Sequence, residues 1–180
     1  MRKFKNKYHV DTNRLPGWNY TNQGSYFITI CCKDMIHFFG EIDSSGQMVL
    51  NELGQIAKNE WIRTKEIRED MNVDFGAFVV MPNHFHAILN IGENPFNKGK
   101  ILLNGNNYGP QIKNLPSLIR GYKSSVTIEC RKLLPEFSWQ SRYYDIIIRS
   151  NDTYLRIENY INENPMKWKY DRYNNPNNNP

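Results

Sequence analysis

The chain lacks any long apolar run. None of its 180 residues belongs to an apolar stretch near the roughly 18 residues that a membrane-spanning helix requires. The first seven residues are basic, but no apolar segment follows them, so we expect no secretory signal peptide. From these absences we expect no transmembrane helix and no membrane partner.

The chain has few cysteines, and their spacing indicates no disulfide framework. The three cysteines, Cys31, Cys32 and Cys130, form no CxxC pair. An odd number without such spacing is typical of a reducing compartment, and we therefore expect a cytoplasmic protein. The sequence also contains no internal repeat.

Basic residues are in excess. The chain has 23 Lys and Arg against 18 Asp and Glu, a net charge of +5. Such a balance suits a polyanion, although many ordinary cytoplasmic proteins are equally basic. Aromatic residues alternate with the cations in several places, as at Tyr122-Lys123 and Arg142-Tyr143. Because aromatic rings stack on unpaired bases while cations bind phosphates, the pattern favours single-stranded nucleic acid.

Periodicity predicts an α+β domain. Alternating and continuous apolar runs predict strands, and recurrence at helical spacing predicts helices. The predicted strands are 25–32, 37–42, 73–80, 85–91 and 139–148, and 48–50 is either a further short strand or the lead-in to a helix. The predicted helices are 51–69, 117–134 and one that begins at Ser150 or Asn151 and ends near Pro165. This order suits a ferredoxin-like antiparallel sheet with helices packed mainly on one face.

The chain divides into one domain with polar ends. We expect a basic, polar N-terminal segment over 1–24 and a single domain over 25–168. Within it, residues 92–114 are rich in Gly, Asn, Pro and Lys, which predicts a flexible surface loop. The Asn- and Pro-rich tail over 169–180 is predicted to be disordered.

Two histidines one residue apart, His84 and His86, are the most informative feature. Residues i and i+2 of a strand point to the same face, so both imidazoles can reach one divalent ion while Phe85 turns into the core. Most such pairs in strands are not metal sites. Further along, Tyr160 and Asn164 share one face of the last helix, one turn apart. A histidine pair on a strand that faces a helical tyrosine suggests metal-assisted phosphodiester chemistry with a tyrosine nucleophile.

Four blocks in the correct order make the pattern specific. They are 22–30 (NQGSYFITI), 80–86 (VMPNHFH), 115–127 (LPSLIRGYKSSVT), and 139–149 (WQSRYYDIIIR) followed by 160–165 (YINENP). Together they resemble the single-tyrosine HUH transposases, and most closely the REP-associated tyrosine transposases. Two departures are visible: Ile146 stands where relatives often have a histidine, and the loop 92–114 looks longer than usual.

The resemblance implies a set of site residues. It implies Tyr160 as the catalytic nucleophile, and His84, His86 and Asn164 as ligands of Mg²⁺ or Mn²⁺. The implied activity is cleavage and rejoining of single-stranded hairpin DNA through a 5′-phosphotyrosine, in a monomer or a homodimer. We expect four basic residues to bind this DNA, although helical charges often only form a solvated face: Arg120, Lys123, Arg142 and Arg149.

Three alternatives stay open at this point. The chain could bind hairpin DNA or RNA without catalysis. It could be a zinc hydrolase, although no acidic third ligand lies near the histidine pair in the sequence. Tyr143 and Tyr144 are rival nucleophiles, but they lie in a predicted strand and lack a helical partner such as Asn164. His9 and His37 have no partners in the sequence and are expected to be ordinary residues.

Overall fold

A four-stranded antiparallel sheet forms the centre of the molecule. The computed structural model describes residues 3–4, 7–8, 15, 17–98 and 112–174. Its strands are β1 (Lys3–Phe4), β2 (Lys7–Tyr8), β3 (Gly24–Cys31), β4 (Gly40–Ile42), β5 (Met48–Leu50), β6 (Val73–Val80), β7 (His84–Ile91) and β8 (Tyr144–Ile148); its helices are α1 (Glu52–Ile67), α2 (Leu115–Leu133) and α3 (Asn151–Glu163). The sheet order is β6-β7-β3-β8, and β4 pairs with β5, as β1 does with β2. The β3-α1-β6-β7-α2-β8 succession is ferredoxin-like, which confirms the predicted fold class.

The two faces of the sheet carry different helices. Along β7, Phe85 and Leu89 belong to the main core, with α1 and α2. Ile88 belongs to a second cluster, which contains Ile161 of α3. Two of the three helices therefore share one face, and α3 lies on the other. Because side chains alternate along a strand, His84 and His86 lie on the α3 face.

Trp61 organises the main core. Its indole stacks on Phe75 with ring centroids 4.4 Å apart and contacts the rings of Phe85 and Tyr122 at 5.0 and 5.2 Å. The hydroxyl of Tyr122 donates to the carbonyl oxygen of Ala57 at 3.0 Å, which joins α2 to α1. Phe85 thus faces the core, as predicted, and holds the backbone of β7 from behind the histidines.

Two predicted boundaries were wrong. Helix α2 begins at Leu115 rather than Ser117, because Asn114 is the N-cap and forms a capping box with Ser117. Pro116 does not prevent this, since a proline is tolerated in the first turn. The predicted strand over 139–148 is regular only from Tyr144 onwards, and Trp139 forms an isolated bridge with Cys32.

Smaller differences concern the hairpin and the first helix. The strand predicted over 37–42 is reduced to Gly40–Ile42, which pairs with Met48–Leu50. The predicted N-cap of α1 is confirmed, because the Asn51 side chain accepts from the backbone N–H of Gly54 at 2.9 Å. Ser150 is the N-cap of α3.

Ordered structure extends past the predicted domain limits. At the N-terminal side, Tyr20 is fully buried. In the loop, the side-chain amide of Asn97 donates to the carbonyl oxygens of Thr21 and Gly92, so 92–98 are held in place, while 99–111 lie outside the described residues. At the C-terminal side, Trp168–Tyr170 and Arg172–Asn174 form short 3₁₀ turns, and only 175–180 lie outside the described part. In both end segments a buried tyrosine, Tyr20 or Tyr173, packs against the domain although the surrounding sequence is polar.

Candidate active site

The two histidines lie side by side at the start of β7. Their ring centroids are 4.5 Å apart, and both side chains are buried. Burial lowers the pKa of His84 well below its usual value, and the neighbouring charges of His86 and Arg172 lower it further. Burial lowers the pKa of His86 to about 3, again with a contribution from Arg172. Both imidazoles are therefore neutral at pH 7, the form that binds metal ions.

Three of the four ring nitrogens of the two histidines have a polar neighbour. His84 Nδ1 lies 2.9 Å from Asn83 Oδ1, and His84 Nε2 is buried without a hydrogen-bond partner. His86 Nδ1 lies 2.8 Å from Thr29 Oγ1 on the adjacent strand. The opposite nitrogen, His86 Nε2, lies 3.3 Å from the hydroxyl of Tyr160. The Nε2 atoms therefore face the space in front of α3.

Helix α3 brings Tyr160 to the histidines by running back along the sheet. Strand β8 ends far from the site, where Ile148 pairs with Ser25, and α3 starts directly after it. Ile161 anchors the helix, since it is buried in the cluster formed with Phe27 and Ile88. Tyr160 contacts the edge of Phe27 at 6.1 Å and remains 39% exposed. Its hydroxyl is thus positioned beside His86 and still accessible.

The surroundings of Tyr160 keep its phenol protonated. Burial raises the pKa of Tyr160 to about 12, and the nearby carboxylate of Asp171 adds to this. A hydrogen bond with Asn164 and the charge of Arg172 act in the opposite direction. A nucleophilic role would therefore require the proton to leave as the phenol oxygen attacks.

Asn164 lies one helical turn after Tyr160 and points into the same space. It is 2% exposed, and its Nδ2 donates to Asp171 Oδ2 at 3.0 Å. Its Oδ1 is buried and has no hydrogen-bond partner. A buried, unpartnered amide oxygen is costly unless something binds it. The structure thus brings Asn164 together with His84, His86 and Tyr160 within one chain.

Asp171 is a site residue that sequence reasoning missed. Its ligand atom and those of His84 and His86 all lie within 4.8 Å of one another. The segment was predicted to be disordered, and no spacing relative to the histidines could have revealed it. No acidic residue lies near the histidine pair in the sequence, but the fold brings one close from 85 positions beyond His86.

Aromatic residues of the C-terminal segment cover the histidines. The ring of Tyr173 lies 4.5 Å from that of His84 and 5.8 Å from that of His86. Trp168 lies 6.0 Å from the His84 ring and 5.6 Å from that of His37. These contacts explain the burial of the imidazoles and give His37 a packing neighbour, while His9 lies outside the described residues.

The donor set fits a divalent metal ion. Two of the atoms that would bind it, His84 Nε2 and Asn164 Oδ1, are buried without partners. The remaining candidates are His86 Nε2 and a carboxylate oxygen of Asp171. Two imidazole nitrogens with an amide and a carboxylate oxygen form a mixed set that suits Mn²⁺ and, through its oxygens, Mg²⁺.

The rival tyrosines lie on β8 or directly before it, and not on α3. Tyr144 is on β8, where it pairs with Thr29, and it is 41% exposed. Tyr143 packs against the main core on the opposite face. The hydrogen-bonding distance to His86 belongs to Tyr160 and not to either of them.

The four predicted DNA-binding residues are spread along the molecule. Arg120, Arg142 and Arg149 are exposed. Arg142 lies near the end of the sheet that holds the histidines, whereas Arg149 follows β8 at the other end. Lys123 is half-buried, and its ammonium donates to the carbonyl oxygens of Gln140 at 2.5 Å and Arg142 at 3.3 Å. Burial lowers the pKa of Lys123 to about 8. Because its ammonium binds these two carbonyl oxygens, Lys123 holds the segment that precedes β8.

A relative with a similar length identifies the family. A protein of Haemophilus influenzae (strain ATCC 51907 / DSM 11121 / KW20 / Rd) is 38% identical over 172 residues, which cover 92% of this chain and 93% of that protein. The chain belongs to the same family as this Haemophilus protein. That relative is an uncharacterized protein, and no model of a known protein family matches the sequence.

The fold has a solved counterpart among the tyrosine transposases. The structure of a REP-associated tyrosine transposase bound to a REP hairpin superposes with a TM-score of 0.55. The match covers 96% of this chain and 77% of the transposase, at 20% identity. The resemblance drawn from the sequence blocks is thus confirmed for the fold.

Among the described helices, none is long and apolar enough to cross a membrane.

Proposed function

We propose that the protein is a metal-dependent tyrosine transposase that cleaves and rejoins single-stranded hairpin DNA. One observation carries this proposal: the Tyr160 hydroxyl lies 3.3 Å from His86 Nε2, beside the unpartnered atoms of His84 and Asn164. A nucleophile and a set of metal-binding atoms therefore converge on one point. The hairpin bound to the structurally similar transposase supports DNA as the substrate.

The proposed reaction is a transesterification at phosphorus. The phenol oxygen of Tyr160 attacks the scissile phosphate, and the bond from phosphorus to the 3′ oxygen breaks. The phenol loses its proton, the 3′ oxygen gains one, and the products are a 5′-phosphotyrosine and a free 3′-hydroxyl. The covalent link preserves the phosphodiester bond energy, so a second 3′-hydroxyl can reverse the step. A divalent ion held by His84, His86, Asn164 and Asp171 would supply positive charge to the phosphate.

The exposed face of β8 suits the unpaired part of such a substrate. Tyr144 and Ile146 are 41% and 37% exposed, and they pair with Thr29 and Phe27, which contact His86 and Tyr160. Paired residues share a face of the sheet. A path for bases therefore leads from the histidines to the edge of the sheet. Arg142 lies two residues before Tyr144 and adds positive charge near the start of this path.

The test is a denaturing gel that detects a covalent protein–DNA adduct. Labelled single-stranded hairpins with flanks from DNA around the gene are incubated with Mn²⁺, with Mg²⁺, or with chelator. We expect an adduct with metal, its loss in Tyr160→Phe, and its persistence in Tyr144→Phe, which removes a rival hydroxyl. An adduct that survives Tyr160→Phe would refute the proposed nucleophile.

A second candidate, zinc-dependent hydrolysis, gains support from Asp171. Two histidines and a carboxylate are a known catalytic zinc set. This enzyme would release free ends with no adduct, and Tyr160→Phe would leave cleavage intact. The third possibility, hairpin binding alone, predicts a shifted band on a native gel with neither adduct nor cleavage in any metal.

A further inference from the structure

Asn83 uses its whole side chain in three hydrogen bonds. Its Nδ2 donates to the carbonyl oxygens of Met35 at 3.1 Å and Tyr173 at 2.8 Å. Its Oδ1 lies 2.9 Å from Nδ1 of His84. The residue is 1% exposed, so water does not compete for these atoms. Asn83 therefore connects the proposed metal ligand to two separate backbone segments.

These contacts allow only one orientation of the amide. If the amide were flipped, its oxygen would face two carbonyl oxygens, and neither could donate a proton. The two carbonyls of Met35 and Tyr173 thus require Nδ2 on their side, and they leave Oδ1 towards His84. An amide oxygen only accepts hydrogen bonds. His84 must therefore carry its proton on Nδ1, because two lone pairs would otherwise meet at 2.9 Å.

We propose that Asn83 is a positioning residue that fixes the tautomer of His84. With the proton held on Nδ1, the lone pair of His84 lies on Nε2, the atom that is buried without a partner. The metal-binding nitrogen is thus prepared before any ion arrives. The assignment rests on the proposed function for the ion, but the tautomer itself is a property of the metal-free protein.

His86 offers an internal comparison. Its Nδ1 contacts the hydroxyl of Thr29, which can either donate or accept. That contact alone does not select a tautomer. The amide of Asn83, whose orientation is fixed by two carbonyl oxygens, restricts the tautomer of its histidine, whereas the hydroxyl of Thr29 does not.

Nitrogen-15 NMR of the histidine rings tests the inference directly. In metal-free protein with chelator at pH 7.5, we expect His84 to show a protonated Nδ1 and an unprotonated Nε2. In Asn83→Leu, the oxygen acceptor is gone, and we expect the Nε2-protonated form to appear and Mn²⁺ affinity to fall about 10- to 100-fold, the usual effect of losing such a support.

Asn97 supplies a matched control for lost stability. Its Nδ2 also donates to two carbonyl oxygens, those of Thr21 and Gly92, and its Oδ1 accepts from the backbone N–H of Asn94. Asn97→Leu therefore removes the same kind of bonds away from the histidines. We expect it to leave the His84 tautomer and Mn²⁺ affinity unchanged.

Two results would overturn the inference. One is a wild-type His84 protonated at Nε2, which decides the matter even if Asn83→Leu does not fold. The other is a folded Asn83→Leu that keeps both the Nδ1-protonated form and wild-type Mn²⁺ affinity. The measurement uses no DNA, so a failed adduct assay would refute the proposed function while leaving the tautomer result intact.

Discussion

The hydroxyl of Tyr160 lies 3.3 Å from Nε2 of His86, although 74 positions separate the two residues in the chain. Two elements create this proximity. Strand β7 fixes the imidazole, with Phe85 packed on the other face, and α3 returns along the sheet after β8. The pair therefore depends on the whole ferredoxin-like arrangement.

The contributions of Asn164 and Asp171 to metal binding can be compared by truncation. In Asn164→Ala the unpartnered amide oxygen is lost, and in Asp171→Asn the carboxylate charge is lost while its shape is kept. We expect each to weaken Mn²⁺ binding about tenfold or more, as changes around metal sites commonly do. Titration of free Mn²⁺ by electron paramagnetic resonance measures this. Glu163→Gln, a change at an exposed pair with Lys167, is the control. Wild-type affinity in both Asn164→Ala and Asp171→Asn would refute both assignments.

Acid should destabilise the metal-free protein through the buried histidines. The pKa of His84 and that of His86 are lowered in the folded state, so below pH 6.5 the unfolded chain binds protons that the folded chain does not. Stability is then complete above about pH 6.5 and is lost as pH falls towards the folded value of about 3 for His86. Between pH 7 and pH 5 we expect a loss on the order of 2 kcal/mol from His86, and the lowered pKa of His84 adds a loss in the same direction.

Urea unfolding in chelator at pH 7 and pH 5 measures this loss. His86→Gln removes one titrating group and should reduce the difference between the two pH values. His37→Gln is the control, since His37 is exposed and the same change there should have a smaller effect. A pH dependence that is identical in wild type and His86→Gln would show that His86 is not held neutral by the fold.

Sequence patterns predicted the parts of this molecule that depend on local periodicity. The alternation of 84–89 assigned the histidines and Phe85 to opposite faces, and Asn51 marked the first turn of α1. The helical spacing of Tyr160 and Asn164 was sufficient to expect them on one face. These inferences involve neighbours within a few positions, where strand and helix geometry leave little choice.

What the sequence could not reveal depends on distant contacts. Asp171 reaches the histidines because Trp168 and Tyr173 pack over them, and those contacts cannot be inferred from an Asn- and Pro-rich tail. In the same way, the predicted strand over 139–148 becomes regular only at Tyr144, and the ammonium of Lys123 binds the carbonyl oxygens of Gln140 and Arg142 in the irregular part before it. Sequence composition alone favoured disorder for the tail over 169–180 and a regular strand for residues 139–143.

Two helical glycines should respond in opposite ways to alanine. A Cβ at Gly54 would lie 2.2 Å from the carbonyl oxygen of Phe39, a backbone atom that cannot move freely. A Cβ at Gly121 would lie 3.0 Å from the flexible end of Arg68. Alanine is otherwise favoured over glycine in helices by about 1 kcal/mol. We expect Gly54→Ala to destabilise by roughly 1–3 kcal/mol and Gly121→Ala to be neutral or stabilising in urea unfolding; equal effects would contradict the close approach of α1 to Phe39.

The exposed ring of Tyr144 should bind an unpaired base next to the cleavage point. Stacking of a base on an aromatic ring contributes about 1–3 kcal/mol, so Tyr144→Ala should weaken binding of a flanked hairpin by roughly 5- to 150-fold. Tyr144→Phe keeps the ring and should bind nearly as well as wild type. Fluorescence anisotropy in chelator, with Tyr160→Phe as the common background, measures binding under conditions in which the proposed cleavage is not expected. A blunt hairpin without flanks is the control substrate, because it has no unpaired base to stack and its affinity should not change. If Tyr144→Ala weakened both substrates equally, the ring would support the fold of β8 or the hairpin stem, and the proposed path from the histidines to the edge of the sheet would be wrong.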